Sequence, residues 1–220
     1  MMKPRSKMNK GMINAMKITG IKEELALQRA FFDTGQTLDP SFRVAQLKHL
    51  KSCICAYEKE INEALRKDLN KAPFESYMTE VGLVLSEISY LLKRIKSWVR
   101  PKRVKMSLAS FPGRAYLYPE PYGVVLLMSP WNYPFMLSVM PLVGAMAAGN
   151  CAILKPSAYS AHTSAALVKM LGEGFPKEYL AVAEGGRAAN QALLQEKFDY
   201  IFFTGSVAVG KTVMSAAAKH

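Results

Sequence analysis

The sequence predicts an α/β fold, in which a parallel sheet with flanking helices follows an N-terminal helical segment. Two observations lead to this prediction. From Gly123 onward, short apolar runs alternate with longer stretches of helical periodicity, as in parallel strands joined by crossover helices. In the first third of the chain, apolar residues recur at three- and four-residue intervals, which indicates amphipathic helices.

Two helices are predicted in the N-terminal part. The first begins at Ser41, whose hydroxyl can cap it, and continues to about Leu69. The second runs from about Glu75 to Trp98 and ends before Pro101, because proline cannot continue a helix. Their polar residues form no cluster that looks catalytic, so we interpret both as packing helices.

The remaining elements follow in order. Arg114–Glu120 alternates weakly and predicts a short strand or hairpin arm. Four strands are then predicted at Val124–Met128, Ala152–Leu154, Leu180–Ala183 and Tyr200–Phe203, and helices near Phe135–Ala148, Ala161–Leu171, Arg187–Lys197 and Ala208–Lys219. The expected organisation is a disordered basic leader over 1–20, a helical segment over 21–113, a β arm over 114–122 and an incomplete nucleotide-binding core over 123–220.

Charge and apolar content limit the partners. The net charge is +12, with the densest basic cluster at 93–105. Such a cluster can bind nucleic acid, but no groove-reading motif accompanies it, so we expect a solvated helix end and linker. The apolar run over 123–153 is broken by polar residues and prolines, which favours a buried core over a membrane span.

The N-terminus and the cysteines predict the compartment. The first twenty residues have no continuous apolar region, so they do not form a secretory signal. The three cysteines are an odd number and do not suggest a disulfide framework. None has a neighbouring His, Lys or Glu that would activate a thiolate. We therefore expect a cytoplasmic protein.

Polar residues and glycines follow three of the predicted core strands, where ligands bind in parallel sheets. Asn132 interrupts a corner of prolines and aromatic residues, and its amide can donate a hydrogen bond to a ligand. Lys155 ends the next strand and can reach a ribose or a phosphate, although alone it could equally be a solvated charge. Gly205 and Gly210 allow a pyrophosphate to approach the start of a helix.

The same glycine segment also fits a different class of protein. Residues 205–212 satisfy the P-loop pattern G-x-x-x-x-G-K-[ST]. No later strand ends in an aspartate that could hold Mg²⁺, which phosphoryl transfer needs. A P-loop NTPase is therefore the less favoured alternative.

Four motifs together resemble the aldehyde dehydrogenase superfamily in their order and spacing: PWNYPF at 130–135, GAMAAGN at 144–150, KPS at 155–157 and FTGSVAVGK at 203–211. The N-terminal helices, with the run AL-x-x-DL-x-K at 64–71, look most like the class 3-type branch. The resemblance covers about 21–220. It implies a Rossmann-like NAD(P) domain, a catalytic domain and a small β oligomerisation arm, with a homodimer in the complete enzyme.

The resemblance also implies roles for particular residues. Asn132 would be the oxyanion-hole amide, which donates to the aldehyde oxygen as negative charge develops there. The cofactor, NAD or NADP, would contact three groups: Ser129, Pro130 and Trp131 in its cleft, Lys155 and Ser157 at the adenosine ribose, and Gly205, Ser206 and Gly210 at the pyrophosphate. No metal is implied.

The implied activity is NAD(P)-dependent oxidation of an aldehyde to a carboxylic acid through a cysteine thiohemiacetal and thioester. In the family the nucleophilic Cys and the general-base Glu lie downstream of the position matching His220. The sequence thus resembles the N-terminal half, and we expect it to be inactive alone. The alternative is a non-catalytic nucleotide-binding fragment. Ala158 stands where the family often has a Glu, which predicts that NADP is tolerated.

Overall fold

A computed structural model describes residues 20–220. The leader expected over 1–20 lies outside these residues, apart from Gly20. The described chain begins with helices, whose bounds are α1 Ile21–Asp33, α2 Pro40–Leu69, α3 Pro73–Ser76 and α4 Gly82–Trp98, with a π-helical turn at Tyr77–Val81 between the last two. Helix α1 was not predicted as a separate element.

The predicted cap of α2 is wrong. Asp39, not Ser41, is the N-cap residue, and its Oδ1 accepts a hydrogen bond from the Ser41 N–H at 2.8 Å. Pro40 occupies the first helical position, where its fixed φ and missing N–H suit a helix start. The helix therefore begins before Ser41.

A short antiparallel ribbon follows the helices. Strand β1, Lys102–Val104, pairs with β2, Ala115–Leu117, and Arg103 lies opposite Tyr116. The strand expected within 114–120 is confirmed. Its partner β1 belongs to the basic segment that we expected to be only a helix end and linker, so that expectation is corrected. Three residues are too few to show an alternating pattern.

The parallel sheet has the strand order β5-β4-β3-β6. Its elements are β3 Val124–Met128, α5 Met136–Ala148, β4 Cys151–Lys155, α6 Ala161–Gly174, β5 Leu180–Val182, α7 Arg187–Leu193, β6 Tyr200–Phe203 and α8 Val207–Ala217. Every residue of β3 and β4 is buried. Because alternate residues of a strand face opposite sides, both faces of the sheet are covered at these two central strands. The predicted α/β fold is confirmed.

The chain order sets the position of the ligand-binding crevice. From β3 the chain moves to β4 and β5 on one side, and then returns to β6 on the other side of β3. The direction of winding thus reverses between β3 and β6. In open α/β sheets, ligands bind at the carboxyl ends of the strands beside such a reversal.

Helix α7 is shorter than predicted, and strand β6 is more exposed than the other strands of the sheet. Helix α7 ends at Leu193, earlier than the predicted Lys197, because Gln195 and Glu196 donate to carbonyls three residues back and tighten the last turn. Strand β6 is an outer strand of the sheet, and its Tyr200 and Phe202 are exposed.

Between residues 20 and 220, no helix combines the length and apolarity needed to cross a membrane.

Candidate functional site

The candidate site lies at the carboxyl edge of the sheet. The Ser129 N–H, just after β3, donates to the Lys155 carbonyl oxygen at 3.2 Å. The Thr204 N–H, just after β6, donates to the Met128 carbonyl oxygen at 3.0 Å. The ends of β4, β3 and β6 are therefore joined side by side. The fold brings together the three segments that the sequence singled out.

The corner after β3 presents a free amide. Asn132 is exposed, and its side chain makes no hydrogen bond with any residue in the described range 20–220. The neighbouring Trp131 is 54% exposed, whereas Pro130 is half-buried. The Ser129 hydroxyl lies 2.6 Å from the Ser138 hydroxyl on α5. The corner is thus fixed at its base while the Asn132 amide remains available to a ligand.

Lys155 is a buried cation at the end of β4. It is only 3% exposed, and its Nζ donates to the Pro156 carbonyl oxygen at 2.7 Å. Burial lowers the pKa of Lys155 to about 8, while the Glu184 carboxylate opposes that effect. The alternative reading as a solvated strand-end charge is therefore wrong. The pKa of a buried ammonium also shifts when another charge is placed beside it.

The loop after β4 is closed by its own hydrogen bonds. The Ser157 hydroxyl accepts from the Tyr159 N–H at 3.2 Å, and the Ser157 carbonyl accepts from the Ser164 hydroxyl at 2.8 Å. Ala158, between them, is exposed. Position 158 therefore presents its side chain to solvent in the loop that follows Lys155.

The loop after β6 contains the predicted phosphate-binding glycines. A Cβ on Gly205 would lie 2.5 Å from Cζ of Phe203, so the Phe203 ring packs directly against the loop. Ser206 is the N-cap of α8, and its Oγ accepts from the Val209 N–H at 3.4 Å. Gly210 lies within the helix.

This geometry contradicts the P-loop alternative. A P-loop needs a run of free backbone N–H groups that wraps around the phosphates. Here α8 already begins at Val207, and the Gly210 N–H donates to the Ser206 carbonyl oxygen at 2.9 Å. Only the first N–H groups of α8 lack a partner within the helix. They can meet one pyrophosphate but cannot enclose a triphosphate.

The N-terminal helices do more than pack, which corrects the sequence-based interpretation. Glu80, in the π-helical turn, is fully buried, and its Oε2 accepts from the N–H groups of Phe135 at 2.8 Å and Met136 at 3.1 Å. Lys71 Nζ lies 2.6 Å from Glu80 Oε1 and 4.1 Å from the centre of the Tyr133 ring. The sequence signal that could have revealed this contact was a carboxylate directly before the apolar stripe that begins at Val81.

The cysteines lie away from this edge. Cys53 Sγ is 3.7 Å from His49 Nε2. Burial nevertheless raises the pKa of the Cys53 thiol, which opposes thiolate formation. Cys151 is buried at the amino end of β4, and burial raises its pKa to about 12. Within residues 20–220, no three His, Cys, Asp or Glu side chains are grouped to hold a metal.

Comparisons with known proteins agree with this geometry. The model of the aldehyde dehydrogenase family matches residues 2–220. Aldehyde dehydrogenase family 3 member H1 of Arabidopsis thaliana is 45% identical over 192 residues, which are 87% of this chain and 40% of that protein. This relative agrees with the class 3-type resemblance. The chain spans less than half the length of the curated relatives that it matches.

Two solved structures have the same fold. A substrate-bound AldH of Staphylococcus aureus superposes with a TM-score of 0.89 at 45% identity, covering 90% of this chain and 43% of that one. An aldehyde dehydrogenase of Mycobacterium tuberculosis, complexed with NAD+, has a TM-score of 0.78 at 27% identity, covering 93% and 42%. With the family model matching nearly the whole sequence, the chain belongs to the aldehyde dehydrogenase family.

Proposed function

We propose that the complete protein oxidises an aldehyde to a carboxylic acid with NAD or NADP, and that this chain supplies the oxyanion donor and part of the cofactor site. The observation that carries the proposal is the free amide of Asn132. Asn132 follows β3 at the carboxyl edge of the sheet, and β3 lies between β6 and β4, the strand that ends at the buried cation Lys155. Family membership adds the reaction class.

Asn132 has the chemistry of an oxyanion donor. Its amide N–H would donate to the aldehyde oxygen as negative charge develops during attack on the carbonyl carbon. Because the corner is fixed at Ser129 by the hydroxyl of Ser138, the donor needs little reorganisation during the reaction. Removing one such donor typically lowers kcat by about 100- to 1000-fold.

The residues around the edge fit a dinucleotide. Lys155 and Ser157 would face the adenosine ribose, and Gly205, Ser206 and Gly210 would place the start of α8 at the pyrophosphate. Trp131, with Ser129 and Pro130, would line the cleft. When bound, NAD(P) supplies a hydride acceptor. The related M. tuberculosis enzyme complexed with NAD+ supports this assignment.

We further propose that the 220-residue chain gives no turnover by itself. A nucleophilic thiolate must reach the aldehyde carbon beside Asn132. Cys151 begins β4 at the opposite edge of the sheet, and Cys53 and Cys55 lie on α2. None of these thiols lies on the edge that carries Asn132.

The complete enzyme is proposed to be a homodimer that uses the β1–β2 ribbon. Leu108 and Phe111, at the end of that ribbon, are 89% and 81% exposed, and large apolar side chains exposed together often mark an interface. Light scattering of the complete natural protein tests this: a mass of two subunits is expected, and a monomer would contradict it.

The test of the activity is aldehyde-dependent NAD(P)H formation by the complete natural polypeptide. Turnover is expected, and Asn132→Ala should lower kcat about 100- to 1000-fold. Gln191→Ala, at an exposed amide on α7, is the control and should leave kcat unchanged. No turnover with aliphatic or aromatic aldehydes, under conditions where NADH binds, would instead favour the alternative of a nucleotide-binding protein without chemistry.

A further inference from the structure

We propose that Glu80, paired with Lys71, is a positioning residue that fixes the corner carrying Asn132. The inference rests on the proposed function, since it concerns how the oxyanion donor is held. The contacts that hold the far end of the corner, at Tyr133 and Phe135, do not come from side chains of the corner itself. They come from the helical segment that precedes the sheet.

The first contact is at the start of α5. No side chain of the preceding residues caps this helix, so its first N–H groups need another acceptor. Glu80 Oε2 accepts from the N–H groups of Phe135 and Met136, at 2.8 and 3.1 Å. A carboxylate at a helix N-terminus is also favoured by the helix dipole. Glu80 thus anchors the corner two residues beyond Tyr133.

The second contact is at Tyr133. Lys71 is buried between α2 and α3, and its Nζ lies 2.6 Å from Glu80 Oε1. The same ammonium lies 4.1 Å from the centre of the Tyr133 ring, a distance at which a cation is attracted to an aromatic face. The ion pair therefore contacts the residue that directly follows Asn132.

Together with Ser129, these contacts hold both ends of the corner. Ser129 is joined to β4 through its N–H and to α5 through its hydroxyl. Tyr133 and Phe135 are joined to Lys71 and Glu80. Asn132 lies between the two anchors, and its side chain makes no hydrogen bond with Glu80 or Lys71.

The π-helical turn explains how Glu80 reaches the corner. Such a turn contains an extra residue relative to an α-helix and often occurs at functional sites. Gly82 ends it, and a Cβ there would lie 2.8 Å from the Tyr77 carbonyl oxygen. Glycine therefore permits the turn, which places Glu80 inward beside the buried Val81.

Energetics favour positioning over stability as the role of this pair. A buried ion pair is often no more stabilising than apolar residues of the same volume. A donor displaced by about 1 Å, however, can lower the rate on the order of 100-fold. The contacts made by Glu80 are directional, so they specify where the corner sits.

The experiment compares Glu80→Gln with Glu87→Gln in the complete natural polypeptide. Glu87, on α4, makes no side-chain hydrogen bond within residues 20–220. Glu80→Gln is expected to accelerate amide exchange at Phe135 and Met136 by at least about tenfold more than at Ile153 in β4, since one weakened hydrogen bond corresponds to about that factor. It should also lower kcat by about tenfold or more, while KM for NAD changes less than about twofold. Glu87→Gln should change neither quantity.

A double variant covers the case in which Glu80→Gln does not fold, because that change leaves Lys71 buried without a counter-ion. Lys71→Met/Glu80→Gln removes both charges and should fold, with the same local exchange and the same loss of kcat. Uniform acceleration of exchange across the sheet, or an unchanged kcat in a folded variant, overturns the proposal. If the unsubstituted polypeptide shows no turnover, the proposed function fails, and local exchange alone decides whether Glu80 holds the corner.

Discussion

Asp68 on α2 accepts two hydrogen bonds from Thr163 on α6, one from its backbone N–H and one from its hydroxyl, each at 2.7 Å. The same carboxylate accepts from the His162 N–H at 3.1 Å. Asp68 therefore caps α6 from a different element, as Glu80 caps α5. The helical segment thus caps the helices that follow the loops after β3 and β4.

Asp68→Ala should lower the free energy of unfolding by about 1–2 kcal/mol, the usual cost of losing an N-cap acceptor. Urea denaturation measures the change. Asp33→Ala is the matched control, because Asp33 is exposed at the end of α1 and should change stability by less than about 0.5 kcal/mol. Equal effects of the two substitutions would show that Asp68 does not cap α6.

Lys155 should titrate near pH 8 rather than at its ordinary value, because burial lowers its pKa to about 8. The pKa is lower in the folded than in the unfolded protein. Its contribution to stability is therefore greatest above the unfolded pKa, about 10.4, and is lost as the pH falls through 8. The contribution of Lys155 to the free energy of unfolding should differ by about 3 kcal/mol between the two ends of this pH range.

Two measurements check this behaviour. The carbon-13 shift of the Lys155 side chain reports the pKa directly. As the pH rises from 8 to about 10.4, the wild type should gain unfolding free energy relative to Lys155→Met. A side chain that titrates near its ordinary pKa would show that it is not buried in solution.

Gly205→Ala should destabilise the fold by about 1–3 kcal/mol, because the added methyl group would lie 2.5 Å from Phe203 Cζ and displace the ring. Gly210→Ala makes the same chemical change inside α8, where the added Cβ would lie at an ordinary 3.5 Å from the Phe203 ring. Because Gly210 is helical, that change should stabilise by about 0.5–1 kcal/mol. Thermal unfolding of both variants distinguishes them by the sign of the shift.

Ala158→Glu should raise the preference for NADH over NADPH by about tenfold. The new carboxylate can accept from ribose hydroxyls and would repel a 2′-phosphate, and about 1.4 kcal/mol corresponds to that factor. Dissociation constants from NAD(P)H fluorescence measure the preference without turnover. Ala158→Gln has the same shape without the charge and should change the ratio much less. Equal ratios for Glu and Gln would show that position 158 does not face the 2′-phosphate.

The sequence predicts the elements of the sheet well, because local patterns determine them. The apolar runs of β3 and β6 match the observed strands residue for residue. The edge that carries Asn132, Lys155 and Gly205 also follows from strand order, since the ends of parallel strands meet at one edge.

The missed features depend on contacts between distant segments. Glu80 is 55 residues from Phe135 and Asp68 is 95 from Thr163, so no local pattern links them. The burial of Lys155 was missed for the same reason: charge alone suggests solvent, and only the packed sheet shows otherwise. The P-loop pattern was misleading because it specifies letters but not where the helix begins.

The exposed outer strand β6 has a consequence for the behaviour of the purified chain. An edge strand presents backbone N–H and C=O groups that can pair with another polypeptide. Here Tyr200 and Phe202 add exposed aromatic surface to that edge, and no charged side chain interrupts the strand. We therefore expect this chain to aggregate as its concentration rises, through intermolecular strand pairing at β6.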